Sequence, residues 1–147
     1  RAMLNNHFGF PDGIPGPELV DRGRAHATNA GATWITGDVE AIEAHDGTFT
    51  VRTADDEEVV ARQVILATGM SVAAAEAAGV TITDATEPRI KTIVKVDPEG
   101  HSSIPGIWAA GTVAGASVHT VVTAGDGARV AINLLSELRG ERYWDHD

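Results

Sequence analysis

The 147-residue sequence contains no cysteine. Disulphide bonds, thiolate zinc sites and Cys-x-x-Cys redox pairs are therefore excluded within these residues. The six histidines are scattered and lack the spacing of metal ligands, so no metal site is expected. No apolar run reaches the roughly 20 residues that a membrane-spanning helix needs, so a membrane partner is not expected either.

Basic residues are scarce, and lysine especially so. Two lysines, Lys91 and Lys95, stand with nine arginines against 21 acidic residues, which gives a net charge of −10. An acidic surface repels nucleic acid and anionic membranes, so neither is expected as a partner. This composition suggests a halophilic source, and an ordinary acidic cytoplasmic protein is the alternative. Both interpretations predict a cytoplasmic location.

The length of the chain is typical of one domain, so residues 1–147 are expected to form a single domain. The sequence starts with Arg1 rather than Met and shows no signal peptide. We therefore expect that the N-terminus of a longer product is missing or has been processed away. The last residues, 143–147, are expected either to fray or to pack on a partner.

The first half of the sequence predicts one helix followed by short strands. Gly16-Pro17-Glu18 is typical of a helix start, and Gly31 of its end. The residues expected to face inward from this helix are Leu19, Val20, Gly23, Ala27 and Ala30. The predicted strands are residues 32–36, a hairpin of 39–44 and 48–53 across Asp46-Gly47, and a third meander strand at 58–61.

The second half predicts a parallel sheet with helices. Residues 63–67 form a continuous apolar run typical of a central parallel strand, and residues 107–110 a second buried strand. Residues 70–78 are expected to be helical and 93–97 to form an edge strand, whereas 81–91 show no clear pattern. A long helix is expected from an N-cap at Ser117 to a stop at Gly140. Its expected inward face is Val121, Ala124, Gly125, Ala128, Ile132, Leu135 and Leu138.

The glycine turn at Gly111, between a strand and a long helix, is the strongest local sign of a binding site. A helix start presents backbone N–H groups and a positive dipole end to an anionic or carbonyl-bearing ligand. An ordinary βα unit that binds nothing is the alternative.

Three segments together form a recognisable pattern. They are residues 6–16 (NHFGFPDGIPG), 64–69 (VILATG) and 104–111 (IPGIWAAG). In this order they resemble the motifs of thioredoxin reductase-like pyridine nucleotide-disulphide oxidoreductases. The resemblance implies an α/β fold, a three-layer FAD/NAD(P)-binding (Rossmann-like) domain with a parallel sheet, flanking helices and a small antiparallel β-meander. It also implies a bound FAD, NAD(P)H as a possible external donor, and a homodimer.

The resemblance carries a set of candidate cofactor-binding residues onto this sequence. They are Asn6, Val39, Thr68, Gly69, Gly111, Thr112, His119, Thr120 and Val121. Each has a structural alternative: Asn6 as a turn-forming residue, Val39 as a core valine, Thr68-Gly69 as a plain turn and His119 as an exposed cap residue. No catalytic residue is identified. Gly125-Asp126-Gly127 is interpreted as small residues that permit close helix packing.

The sequence departs from the family pattern at Thr112, where relatives have an aspartate that binds the ribityl hydroxyls of the flavin. Threonine can still make one hydrogen bond. A charge-assisted contact worth about 1.5–3 kcal/mol is nevertheless lost. Flavin affinity is expected to be lower as a result.

Two parts of the related proteins are absent from this sequence. No Gly-x-Gly-x-x-Gly motif precedes Asn6, and residues 70–103 are too few to hold an NADPH domain. A missing N-terminal segment or a partner chain is expected to complete the site. Two functions remain open: an FAD-dependent oxidoreductase domain that transfers electrons without a Cys-x-x-Cys pair, or a non-catalytic flavin- or nucleotide-binding, or regulatory, module.

Overall fold

A computed structural model describes residues 2–144 of the chain. The chain forms two compact units, Arg1–Thr36 and Gly37–Asp147. The expectation for the C-terminal residues 143–147 lies largely outside the described part, because 145–147 are not included in it.

The first unit contains a two-stranded antiparallel sheet and one helix. Strand β1 (Met3–Leu4) pairs with β2 (Ile14–Pro15), and helix α1 (Gly16–Asn29) follows directly. Proline in the first turn and Glu18 beside the positive helix end confirm the predicted helix start. Gly31 lies just beyond the end of the helix with φ of 95°.

Two predictions for this unit are wrong. No residue of α1 is buried, and Val20, expected to face inward, is 63% exposed. Residues 32–36 form no strand, because no strand among the described residues pairs with them. A strand depends on a hydrogen-bonded neighbour, and the apolar pattern of these residues does not supply one.

The second unit begins with the predicted antiparallel meander. Strands β3 (Val39–His45), β4 (Thr48–Thr53) and β5 (Glu58–Ala61) lie in that order in one sheet. Asp46 and Gly47 join β3 to β4 with φ values of 44° and 81°. Two residues with positive φ in a two-residue loop are what an Asp-Gly hairpin turn requires, so the predicted turn is confirmed.

A parallel pair of strands lies next along the chain. Strand β6 (Val64–Leu66) pairs in parallel with β9 (Ile107–Ala109). All three residues of β9 are buried, as predicted for a strand covered on both faces. Ile65 of β6 is 40% exposed, and within residues 2–144 the strand has β9 as its one hydrogen-bonded neighbour. The prediction that β6 is a central strand is therefore wrong for the described residues.

The connection between β6 and β9 is built from short elements. Helix α2 (Ala73–Ala77) is shorter than predicted and is followed by Gly79 in a left-handed conformation. Strand β7 (Ile82–Asp84) pairs antiparallel with β8 (Thr92–Val94). Strand β7 thus lies within residues 81–91, which have no clear sequence pattern. The predicted edge strand at 93–97 is shifted and shortened.

The chain continues from β9 through a short 3₁₀ helix (Gly111–Ala114) into helix α3 (Thr120–Arg139). His119 is the N-cap of α3, so the expected cap at Ser117 is wrong, whereas the stop at Gly140 is confirmed by its φ of 72°. The buried residues of α3 are Val130 and Leu134. The predicted inward face is therefore wrong, because neither of these residues belongs to it. Five of its seven members are exposed: Val121, Ala124, Gly125, Ala128 and Leu138.

Two apolar clusters hold the second unit together. The larger one joins the meander, the parallel strands and α2 through buried residues that include Ile42, Phe49, Leu66, Ala75, Val94 and Ile107. The smaller one packs Trp108 and Ala110 against Val130 and Leu134 of α3. Alternate residues of β9 thus belong to different clusters, since side chains alternate across a strand. This packing fixes α3 against the carboxyl end of β9.

Candidate functional site

The candidate site lies at the edge where β6 and β9 both end. The amide of Ala110 donates to the carbonyl of Leu66 at 2.9 Å, so the two strands remain joined up to this edge. Thr68-Gly69 follows β6, and Gly111-Thr112 follows β9. Open α/β sheets bind ligands outside the carboxyl ends of their parallel strands. The structure therefore brings two of the predicted segments to one edge of one sheet.

Both glycines at this edge have backbone conformations that other residues rarely adopt. Gly69 has φ of 67° and Gly111 has φ of 78°. A Cβ atom added to Gly69 would meet nothing within 4 Å, and one added to Gly111 would lie 3.7 Å from Cβ of Thr123. Turn conformation, rather than lack of space, thus requires glycine at both positions. The open space beside Gly69 is compatible with a ligand at the backbone.

The side chain of Thr68 is used within its own turn. Its Oγ1 donates to the carbonyl of Ser71 at 2.5 Å, while the Ser71 amide returns a bond to the Thr68 carbonyl at 3.3 Å. This arrangement stabilises the turn after β6. Because the side chain of Thr68 is engaged within the turn, only its backbone is available for the predicted ligand contact.

Thr112 is one of the two buried polar residues of the described chain, with 7% exposure. It lies in the 3₁₀ helix that directly follows Gly111. The family pattern implies that the residue at this position makes a hydrogen bond to the flavin. The structure instead places the threonine side chain in the interior.

The start of α3 presents His119, Thr120 and Val121 together. The amides of Val122 and Thr123 donate to the carbonyl of His119 at 2.9 and 3.0 Å, so the regular helical bonds begin there. The ring of His119 is held by Ser117, whose Oγ lies 2.9 Å from Nδ1. The N-cap residue His119 makes no side-chain cap hydrogen bond within residues 2–144. The positive end of the helix dipole at this point favours a negatively charged group.

The remaining two predicted residues lie apart from this edge along the sequence. Val39 is the first residue of β3 and is 37% exposed, so the alternative that it is a core valine is wrong. Asn6 lies in the first unit, in the turns between β1 and β2. Its side chain is exposed and makes no hydrogen bond to any residue in the range 2–144.

The structure gives Asp126 a role that differs from the sequence-based interpretation of Gly125-Asp126-Gly127. Oδ2 of Asp126, in α3, accepts the Gly111 amide at 2.7 Å, and Oδ1 accepts Nε and Nη2 of Arg129 at 3.0 and 2.8 Å. The interpretation of Gly125 and Gly127 as close-packing residues is wrong, because a Cβ added to either would meet nothing within 4 Å. The sequence contains one sign of this contact: Asp126 lies about two turns into the helix that follows the glycine turn at Gly111.

A second polar cluster centres on His101 in the β8–β9 connection. Its Nδ1 lies 2.8 Å from Oδ2 of Asp97, and its Nε2 lies 2.6 Å from Oε2 of Glu137 in α3. The centroid of its ring lies 3.9 Å from that of Trp108, with the two planes inclined by 35°. Desolvation opposes the charged imidazole, but the bonds to Glu137 and Asp97 prevail and raise the pKa of His101. Desolvation likewise opposes ionisation of Asp97, but bonds from His101 and the Gly100 amide lower its pKa.

The same cluster brings potential metal ligands close together. Ligand atoms of Asp97, Glu99 and His101 lie within 4.8 Å of one another. Scattered histidines in the sequence gave no sign of this grouping, since two of the three residues are acidic. Both ring nitrogens of His101 are already hydrogen-bonded to carboxylates, so the arrangement is accounted for by ionic contacts.

Among residues 2–144, none of the helices combines the length and the apolar character needed to cross a membrane. This agrees with the absence of a long apolar run in the sequence.

Comparison with known proteins gives consistent matches. The family model described as pyridine nucleotide-disulphide oxidoreductase matches residues 15–128. A bifunctional thioredoxin reductase/thioredoxin of Mycobacterium leprae is 44% identical over 69 residues, which are 47% of this chain and 15% of that protein. Thioredoxin reductase 1 of Saccharomyces cerevisiae is 39% identical over 71 residues, or 46% of this chain and 22% of that protein.

Solved structures show the same fold. The atypical thioredoxin reductase of Desulfovibrio vulgaris Hildenborough has a TM-score of 0.78 at 17% identity, covering 95% of this chain and 86% of that one. A thioredoxin reductase of Gloeobacter violaceus has a TM-score of 0.78 at 13% identity, and the match covers 99% of this chain and 84% of that one. The matches with the Mycobacterium and Saccharomyces proteins, by contrast, span less than a quarter of those relatives.

Proposed function

The chain belongs to the pyridine nucleotide-disulphide oxidoreductase family, and on this premise we propose that it contributes to the FAD site of a thioredoxin reductase-like oxidoreductase. One observation carries the proposal. Two parallel strands end at one edge, each followed by a left-handed glycine, and a helix start with no side-chain cap follows Gly111 along the chain. Backbone groups at such an edge suit a cofactor with phosphate and carbonyl oxygens.

The residues present fit a flavin in their chemistry. The space beside Gly69 leaves room for backbone approach, and the dipole at the start of α3 favours negative charge. Thr68, Gly69, Gly111, His119, Thr120 and Val121 are proposed to line the cofactor, with Val39 at its nucleotide end. Asn6 stays a separate prediction for the first unit. FAD, when bound, would supply the electron transfer, because this sequence has no cysteine pair to do so.

His119 has a defined task in this proposal. Its ring is hydrogen-bonded to Ser117 and lies at the N-cap of α3. Together with the helix dipole it would stabilise negative charge on the cofactor. Thr112, which is buried, is proposed to support the turn rather than to contact the ligand.

The site is proposed to need a further glycine-rich βα unit. Strand β6 has an edge without a hydrogen-bonded neighbour among the described residues. A unit from additional sequence or from a partner chain would cover that edge and supply the phosphate-binding glycines. A homodimer, a cytoplasmic location and NAD(P)H as external electron donor complete the proposal.

A matched pair of variants tests the flavin site. The purified protein, supplied with the glycine-rich βα unit, is dialysed against FAD in high salt, and bound flavin is measured from absorbance between about 300 and 550 nm. Gly69→Trp should abolish flavin retention because it fills the space beside the turn. Gly79→Trp is the control, since Gly79 is also left-handed and also has nothing within 4 Å. Equal retention in both variants would contradict the proposed site.

A non-catalytic flavin- or nucleotide-binding, or regulatory, module is the second candidate function. The buried Thr112 favours it, since no carboxylate follows Gly111 to hold the flavin tightly. Stoichiometric bleaching of bound flavin by NAD(P)H would support the oxidoreductase. Flavin that binds but is not reduced by NAD(P)H would support the module.

A further inference from the structure

The carboxylate of Asp126 joins three separate segments of the second unit. Its Oδ2 accepts the Gly111 amide at 2.7 Å, from the turn after β9. Its Oδ1 accepts two bonds from Arg129 one turn later in α3. Nη1 of Arg129 donates in turn to the carbonyl of Pro98, in the turn after β8. The Asp126 side chain is only 16% exposed, so these bonds lie in a partly desolvated place.

The Gly111 bond joins the turn after β9 to the helix that follows it. A backbone amide at the end of a parallel strand is bound by a side chain of the helix that follows in the same βα unit. Gly111 also lies close to α3, because a Cβ added to it would be 3.7 Å from Cβ of Thr123. The turn and the first two turns of the helix are therefore held in one fixed arrangement. A bond between an amide and a carboxylate is stronger than one between neutral groups.

We propose that Asp126 is a positioning residue of the candidate cofactor site, which holds the Gly111 turn against the start of α3. The inference rests on the proposed function for its consequence, since the turn and the helix start are both assigned to the flavin. Asp126 itself has no ligand contact in this proposal. It acts through Gly111 on one side and through Arg129 on the other.

The geometry explains why this position matters for binding. A ligand that touches both the Gly111 turn and the amides at the start of α3 needs the two at a fixed separation. Without Asp126, the Gly111 amide has no acceptor among the described residues, and Arg129 keeps only the Pro98 carbonyl. The turn would then be free to move relative to the helix. Ligand binding would then have to order the turn, and the affinity for the ligand would be lower.

The first test compares flavin affinity among three variants of the full chain. Asp126→Ala should raise the FAD dissociation constant about tenfold. Asp126→Asn should restore most of the affinity, because its amide oxygen can still accept the Gly111 N–H. Asn133→Ala is the control: Asn133 donates to the Glu99 carbonyl at 2.9 Å and also ties α3 to the turn after β8, without contacting Gly111.

The second test needs no flavin. Hydrogen exchange of the Gly111 amide is followed by NMR, with the Val122 amide of α3 as internal reference. Asp126→Ala should speed exchange at Gly111 by about tenfold or more and leave Val122 unchanged, because only the first amide loses its acceptor. Asn133→Ala should change neither.

The outcomes separate the two proposals. If Asp126→Ala binds FAD as tightly as the wild type does, the positioning role is overturned while the proposed function stands. An equal loss in Asn133→Ala would also overturn it, because general docking of α3 would then be the cause. Absence of FAD binding by the wild type when the glycine-rich βα unit is supplied would overturn the proposed function and the flavin role of Asp126 together. Unchanged exchange at Gly111 in Asp126→Ala would overturn the coupling itself.

Discussion

Nε2 of His101 lies 2.6 Å from Oε2 of Glu137, a contact that joins the connection after β8 to the last turns of α3. Asp97 holds the other ring nitrogen at 2.8 Å. Two further bonds connect the same elements: Arg129 to the Pro98 carbonyl and Asn133 to the Glu99 carbonyl. The C-terminal half of α3 is thus anchored by a charged group and two backbone carbonyls.

The stability of the protein should depend on pH through His101. The pKa of His101 is raised above the ordinary 6.5, so its contribution is fully present below that pH and is lost as pH rises through the folded value. The groups facing it are Asp97 and Glu99 on its own segment, with Glu137 on α3. His101→Gln should therefore flatten the fall of the unfolding free energy above about pH 6.5. Urea denaturation between pH 5 and 9 measures this pH dependence of the unfolding free energy.

The control for this experiment is His26→Gln. His26 is exposed in α1, and its side chain makes no hydrogen bond, ion pair or ring contact with the other described residues. Its substitution should leave the pH profile as in the wild type. If His101→Gln and the wild type lose stability in parallel above pH 6.5, the ionic role of His101 is refuted.

Acid should weaken the same cluster through Asp97. The pKa of Asp97 is lowered below 3.8, so its contribution is present above that pH and is lost as pH falls through the folded value. Asp97→Asn should lose less stability than the wild type between about pH 4 and pH 2. Circular dichroism during acid titration measures the difference, and identical acid transitions would contradict the assignment.

Two valines of α3 should differ strongly in their contribution to stability. Val130 is fully buried, whereas Val121 is 39% exposed. Val130→Ala should cost about 2 kcal/mol because it leaves a cavity beside Trp108. Val121→Ala, the matched control, should change the unfolding free energy by less than about 0.5 kcal/mol. Chemical denaturation checks both, and a similar cost at the two positions would place the packed face of α3 elsewhere.

Gly106 and Gly140 separate backbone strain from steric contact. Both have positive φ, but a Cβ at Gly106 would lie 2.8 Å from Cε2 of Phe49, and one at Gly140 would meet nothing within 4 Å. Gly140→Ala should cost about 1 kcal/mol from backbone strain alone. Gly106→Ala should cost at least about 2 kcal/mol, because buried Phe49 must also move. Thermal unfolding of the two variants gives the comparison; equal costs would show that Phe49 adjusts freely.

Gly125→Ala should stabilise the protein. Gly125 lies inside α3, and a Cβ there would meet nothing within 4 Å. Alanine is favoured over glycine in a helix interior by about 0.5–1 kcal/mol. An increase in melting temperature is therefore expected. A decrease would restore the interpretation that this glycine allows close packing.

Local sequence signals determined several elements of this fold. Asp46-Gly47 determined a hairpin turn because both residues accept positive φ at low cost, and the flanking strands followed. Gly140 determined the end of α3 for the same reason. The apolar runs at 64–66 and 107–109 determined two parallel strands, and the motifs around Gly69 and Gly111 determined the family. In each case the preference is a property of a few adjacent residues.

The tertiary structure decided which surfaces are buried and which polar groups meet. α3 has apolar residues on more than one side, so only its contact with β9 selects Val130 and Leu134 over Val121 and Leu138. Residues 32–36 needed a strand partner that the described chain does not offer. Asp126 reaches Gly111, and Glu137 reaches His101, across 15 and 36 positions of sequence. Local sequence patterns do not encode such distant pairings, because they depend on how whole elements pack.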